Sequence, residues 1–128
     1  MIANERIRQV RQHRKMKSAE LAAKANISAA EISLIEKQMR RPKTETLQRI
    51  AAALDVSTSF LLSEINADVP IGTALARESF QIFLRDAKPT ADEVRRLREL
   101  TEEPSAPQTV QGWRDLVTNL MIYDKSHQ

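Results

Sequence analysis

Two short amphipathic helices joined by one sharp turn are predicted over 18–38. Apolar residues at helical spacing form their inner faces: Leu21, Ala22 and Ala25 in the first helix, Ile32 and Ile35 in the second. Asn26 lies at the turn, where it tolerates left-handed backbone better than most residues. The two inner faces are therefore predicted to pack on each other.

The start of the second helix carries a capping signal. Ser28 is a good N-cap residue, and Glu31 stands three positions later, which is the spacing of a capping box. We expect a well-defined helix start that projects outward.

Three further helices complete the predicted first half. Asn4 is expected to cap a first helix that buries Ile7 and Val10 and turns its other polar residues outward: Arg6, Arg8, Gln9, Gln12 and Arg14. A fourth helix begins at Lys43 or Thr44. It buries Leu47, Ile50, Ala51 and Leu54. Ser57 is expected to cap a fifth helix, whose Phe60 and Leu61 close the core.

The second half is also predicted to be helical. Pro70 and Gly72 mark 64–72 as a linker. A helix from Thr73 to about Ala87 follows, then one opened by a capping box of Thr90 and Glu93, and a last one from about Thr109 to Asp124. The predicted fold class is all-α, with a five-helix domain over 1–63 and a bundle of about three helices over 73–128.

The first half resembles a known family. The pattern L-A-(x3)-N-I-S-(x3)-I-(x2)-I-E starts at Leu21, and the basic R-R-P and a further helix follow it. It is similar to the Cro and phage-repressor regulators of the XRE family, over about residues 5–63. The resemblance implies a five-helix, lambda-repressor-like domain that binds double-stranded DNA with its helix-turn-helix. It also implies a structural ion pair between Arg11 and Glu36, and turns where the family often carries Gly: Lys15, Asn26, Gln38 and Asp55.

The resemblance also implies which residues meet DNA, because the second helix of this motif enters the major groove. The groove-facing positions are Ala29, Ala30, Ser33 and Leu34. The expected backbone contacts are Ser18, Lys37, Arg40, Arg41 and Lys43. The groove-facing side chains have little hydrogen-bonding capacity, so DNA shape and phosphate contacts are expected to carry much of the specificity.

Charge and composition narrow the function classes. Residues 1–64 hold 12 Lys and Arg against 7 Asp and Glu, whereas 65–128 hold 8 against 10, so only the first half is basic. A basic surface can bind the backbone phosphates of nucleic acid. With no Cys, two Gly and two distant histidines, His13 and His127, the chain offers no catalytic or metal site, and no cofactor is expected. Neither a signal core nor a membrane span is evident, so a cytoplasmic protein is expected.

The last predicted helix has a wide apolar face, formed by Val110, Trp113, Leu116, Val117, Leu120 and Met121. This face either folds back on its own domain or joins two copies. We expect a homodimer, because a dimer pairs two half-sites of an inverted-repeat operator about 34 Å, or a multiple, apart.

A second resemblance concerns the tail. TADEVRRLREL followed by GWRDLVTNL is similar to the dimerisation region of radiation-response repressors of the Deinococcus type. That resemblance implies inactivation by a zinc metalloprotease that cuts between Leu100 and Pro107. Two other functions stay open: an autorepressing antitoxin whose tail binds a toxin, and an adaptor that binds proteins only. Salt-dependent DNA binding separates the adaptor from the other two, and a copurifying partner favours the antitoxin.

Overall fold

A computed structural model describes residues 2–64 and 68–126, and within them the side chains of 3–64 and 68–119. The chain divides into two compact units, Met1–Ile71 and Gly72–Gln128. The described residues form helices and no strands, which confirms the all-α prediction. No helix in these ranges is long and apolar enough to cross a membrane.

The first unit holds five α-helices: α1 (Ile2–His13), α2 (Ser18–Ala25), α3 (Ala29–Glu36), α4 (Thr44–Leu54) and α5 (Thr58–Leu62). α2 packs against both α3 and α4, while α1 packs on α3, α4 and α5. The core contains every apolar residue predicted for it in α2, α3 and α4, and it also contains Val56. Ser57 caps α5 as predicted, because its hydroxyl accepts the Phe60 backbone N–H at 3.0 Å.

Four turns of the first unit use left-handed residues without a glycine. They are Lys15, Asn26, Gln38 and Asp55, with φ between 54° and 62°. After α3, the Met39 N–H donates to Leu34 O at 2.9 Å and the Gln38 N–H donates to Ile35 O at 3.0 Å, which closes the helix end. The turns implied by the resemblance are confirmed.

Two predictions for the polar residues of α1 are wrong. Asn4 is not an N-cap: it lies inside α1, fully buried. Arg6 does not point outward, since it is 5% exposed, lies 4.6 Å from the centre of the Phe60 ring and donates to Glu64 O at 3.0 Å. Burial lowers the pKa of Arg6. Both residues share a helical stripe with Ile7 and Val10, so they face the interior.

The second unit contains α6 (Ile71–Ala87), α7 (Ala91–Arg98), a 3₁₀ turn (Glu99–Glu102) and α8 (Val110–Ser126). α6 begins two residues earlier than predicted, so Ile71 and Gly72 are helical. The capping box of α7 is confirmed: the Glu93 N–H donates to Thr90 Oγ1 at 3.2 Å, and the Thr90 N–H donates to Glu93 Oε1 at 2.9 Å.

Trp113 organises the core of this second unit, and its assignment to a dimer seam is wrong. The side chain is fully buried, its ring centre lies 4.9 Å from that of Phe80, and its Nε1–H donates to Ser79 Oγ at 2.9 Å. Around it pack buried Ala76, Phe83 and Leu97, with partly buried Val110, Leu116 and Val117 at the edge. The side chains of Leu120 and Met121 lie outside the described residues.

Gly112 allows α8 to approach the loop before it. A Cβ atom at this position would lie 2.9 Å from the Cβ of Pro107, closer than real Cβ contacts. The Gly112 backbone N–H donates a hydrogen bond to Thr109 Oγ1 at 3.0 Å. Thr109 therefore caps the start of α8, and the close approach to Pro107 leaves no room for a side chain at position 112.

Candidate nucleic-acid interface

The outer face of α3 is the first component of the candidate interface. With about 100° between successive residues, Ala30, Ser33 and Lys37 lie opposite the buried pair Ile32 and Ile35. Of the four predicted groove-facing residues, Ala29 and Ala30 are exposed, and Ser33 and Leu34 are half-buried. α3 therefore presents small and apolar side chains, with one hydroxyl, on its outer side.

The start of α3 is capped by one half of the predicted capping box. The Ser28 hydroxyl accepts the Glu31 N–H at 3.0 Å, as predicted. The Glu31 carboxylate does not return to the Ser28 backbone; it forms an ion pair with Arg40. Arg40 lies nine residues away in the loop after α3, a distance at which local sequence rules give no signal.

The loop after α3 is attached to α1 by Asn4. The Asn4 amide Nδ2 donates to Ile35 O at 2.5 Å and to Arg40 O at 3.1 Å. It therefore joins the last turn of α3 to the loop that carries the cations. Sequence reasoning missed this role; the available signal was that Asn4 lies three positions before Ile7, on the buried stripe of α1.

The ion pair between Arg11 and Glu36 holds the other side of the α3 terminus. Arg11 Nη2 lies 2.8 Å from Glu36 Oε1, and Arg11 Nε lies 3.0 Å from Glu36 Oε2. The side chains are only 16% and 7% exposed. Arg11 Nη1 also donates to Met16 O at 2.8 Å, so one guanidinium joins α1, the next turn and the end of α3.

The predicted phosphate-contacting residues are distributed over two places. Lys37, Arg40, Arg41 and Lys43 are all exposed and follow directly after α3. Ser18 is the first residue of α2 and is half-buried. The start of α2 has no side-chain cap from Lys17, so its backbone N–H groups lack that partner. The loop thus places four cations within seven residues, beside the outer face of α3.

Comparison with known proteins agrees with this arrangement. Residues 7–61 match the family model HTH_3, described as helix-turn-helix. Residues 7–61 therefore form a helix-turn-helix domain. The chain is also similar to the immunity repressor protein of Bacillus phage phi105, at 34% identity over 64 residues, which is half of this chain. Those residues span 44% of that relative, so the chain covers less than half of its length.

A solved structure extends the likeness beyond the helix-turn-helix domain. A chain of the SinR protein/SinI protein complex shares 28% sequence identity with a TM-score of 0.50, over 90% of this chain and 98% of that one. The XRE resemblance of residues 5–63 is therefore confirmed. The resemblance of the tail to Deinococcus-type repressors has no support in these matches and stays a prediction.

Proposed function

We propose that the protein is a sequence-specific DNA-binding transcriptional regulator, acting as a homodimeric repressor on a palindromic operator. The outer face of α3, with the exposed cations of the Lys37–Lys43 loop beside it, carries the proposal. The family match and the likeness to a phage immunity repressor support it. In this interface α3 enters the major groove and the loop lies along the phosphates.

The chemistry of α3 limits how it reads bases. Its outer side has no Arg to pair with guanine and no Asn or Gln to pair with adenine. Ala29, Ala30 and Leu34 suit thymine methyl groups, and Ser33 is the only hydroxyl among the four. The proposal therefore assigns affinity mainly to the loop, and a smaller share of base discrimination to α3.

Arg41→Ala and Lys43→Ala are each expected to weaken binding about equally on all DNA sequences. Each removes one phosphate contact, so the slope of log affinity against log salt should fall in magnitude by about 1. Titration at several salt concentrations measures this slope. Ser33→Ala is the contrasting variant: it should alter base preference by about 1–3 kcal/mol at particular positions and leave the slope unchanged. Unchanged slopes in both loop variants would remove the loop from the interface.

The proposed dimer interface is formed by apolar residues of α8 other than the buried Trp113. Leu116 and Val117 are half-buried at the edge of the second unit's core, and the apolar sequence pattern continues to Leu120 and Met121. Sedimentation of the full-length protein over the micromolar range is expected to show a dimer. A monomer throughout that range would contradict the proposed dimer. It would not contradict DNA binding, which the salt titration of the loop variants tests separately.

An alternative function is that of an autorepressing antitoxin. It is supported by the similar structure of the SinR protein/SinI protein complex, which contains two differently named proteins. By this reading the second unit binds a protein partner while the first unit binds the promoter. A stoichiometric protein that copurifies with residues 72–128 and is lost when they are removed would favour the alternative. A homodimer without such a protein favours the simple repressor.

A further inference from the structure

The ion pair between Glu31 and Arg40 lies at the edge of the proposed DNA-binding face. Glu31 belongs to the first turn of α3, and its side chain is 24% exposed. Arg40 belongs to the loop after α3, and its side chain is 55% exposed. The pair therefore joins the start of α3 to the loop that follows its end.

Both partners are held by other contacts. The Glu31 backbone N–H donates to Ser28 Oγ at 3.0 Å, which fixes the residue in the helix start. The Arg40 carbonyl accepts the Asn4 amide at 3.1 Å, which fixes the backbone from which the guanidinium extends. The guanidinium is thus held against Glu31 by the ion pair while its backbone is tied to α1.

Glu31 also lies close to the groove-facing side of α3. It is one turn before Leu34, about 60° away around the helix axis. A phosphate that approaches Arg40 therefore meets a carboxylate of the same charge, and it has to replace a charge-assisted hydrogen bond that already exists. The neighbouring cations Arg41 and Lys43 are exposed in the same loop.

We propose that Glu31 is a positioning residue that withholds Arg40 from the phosphates of non-specific DNA. The inference rests on the proposed DNA binding by this face. Arg40, although it was predicted from the sequence as a backbone contact, then contributes nothing to the salt dependence of non-specific binding. The pair lowers the affinity for DNA of any sequence, which shortens the time that the protein spends away from its operator.

Binding to a random-sequence duplex at several salt concentrations tests the inference with three variants. Glu31→Gln keeps the shape of the side chain and the cap from Ser28 but releases Arg40. It should increase the magnitude of the salt slope by about 1, the value of one added phosphate contact. The affinity should rise by about 2- to 5-fold, the coupling typical of an exposed ion pair.

Arg40→Ala should leave the slope at the wild-type value, and the double variant Glu31→Gln/Arg40→Ala should also show the wild-type slope. The matched control is Glu102→Gln, which removes the same charge from an ion pair with Arg77 in the second unit. Its slope and affinity should equal those of the wild type.

Three results would overturn the inference. A slope reduced by about 1 in Arg40→Ala would mean that Arg40 already contacts phosphate. A gain from Glu31→Gln that persists in the Arg40→Ala background would assign the effect to the Glu31 charge alone. An unchanged slope in Glu31→Gln would show that loss of the ion pair adds no phosphate contact. If the wild-type protein shows no salt-dependent binding, the proposed function itself fails, whereas the three results above require that binding.

Discussion

Replacing Trp113 by alanine is expected to unfold the second unit and leave the first unit folded. Removal of a fully buried tryptophan costs about 3–5 kcal/mol, because it leaves a cavity and removes the contacts of the ring. The ring lies against Phe80, and its N–H satisfies the buried hydroxyl of Ser79. A unit of 57 residues is at the low end of domain stability, so this loss approaches its whole free energy of unfolding.

Amide hydrogen exchange measures the effect on each unit separately. The fluorescence of Trp113 cannot serve, because the substitution removes the only tryptophan of the chain. In Trp113→Ala, the amides of α6, α7 and α8 should lose protection, while those of α2 and α4 keep it. Trp113→Phe is the matched control: it retains an aromatic ring and loses the hydrogen bond to Ser79, and should cost about 1–3 kcal/mol.

The exposed neighbour Arg114 gives a second control, since Arg114→Ala should change protection little. Full protection of α6 in Trp113→Ala would show that Trp113 is not central to this core. Because Trp113→Ala disrupts the fold of its own unit, it cannot test the proposed dimer seam; sedimentation of the intact protein does that.

The buried apolar positions were predictable because helical periodicity is a local property. Leu47, Ile50 and Leu54 share one face at a spacing that the sequence displays directly. The turns were predictable for a different reason: the resemblance marked positions that need left-handed backbone, and Asn26 and Asp55 tolerate it. Local spacing and turn chemistry therefore account for most of the first unit.

Polar residues on buried stripes were not predictable in the same way. Asn is a common N-cap residue, and Arg usually lies at the protein surface, so Asn4 was predicted to cap α1 and Arg6 to point outward. Each instead finds a carbonyl acceptor that only the folded chain provides: Ile35 and Arg40 for Asn4, and Glu64 for Arg6. Their partners lie 31 to 58 residues away, so periodicity places these side chains inside but does not supply the acceptor.

In the candidate interface, too, the features set by neighbouring residues were predictable, and those set by distant partners were not. The N-cap of α3 depends on two residues three positions apart, and Ser28 was identified correctly. The partner of the Glu31 carboxylate depends on the path of the loop after α3, which Gln38 turns through a left-handed conformation and Asn4 holds. The wide apolar face of α8 was visible in the sequence, but the packing of Trp113 against Phe80 depends on the position of α6, which the sequence does not display.

Replacing Glu36 by alanine is expected to destabilise the first unit by about 3–5 kcal/mol. The reason is that Arg11 would remain largely buried with its charge unpaired, having lost three hydrogen bonds to the carboxylate. Its remaining acceptor, Met16 O, is neutral. Since α1, the following turn and the end of α3 meet at this guanidinium, the destabilisation should reach the DNA-binding face.

Chemical denaturation followed by far-UV circular dichroism measures the free energy of unfolding, and two variants separate a buried charge from a lost contact. Glu45→Ala removes the carboxylate of an exposed ion pair with Arg49 and should cost no more than about 1 kcal/mol. The double variant Arg11→Met/Glu36→Leu removes both charges and keeps apolar volume. It should recover most of the stability lost in Glu36→Ala, because a buried pair replaced by apolar residues is often close to neutral. A double variant no more stable than Glu36→Ala would show that the pair acts through its specific hydrogen bonds, and a loss below about 1 kcal/mol in Glu36→Ala would show that water reaches Arg11 freely.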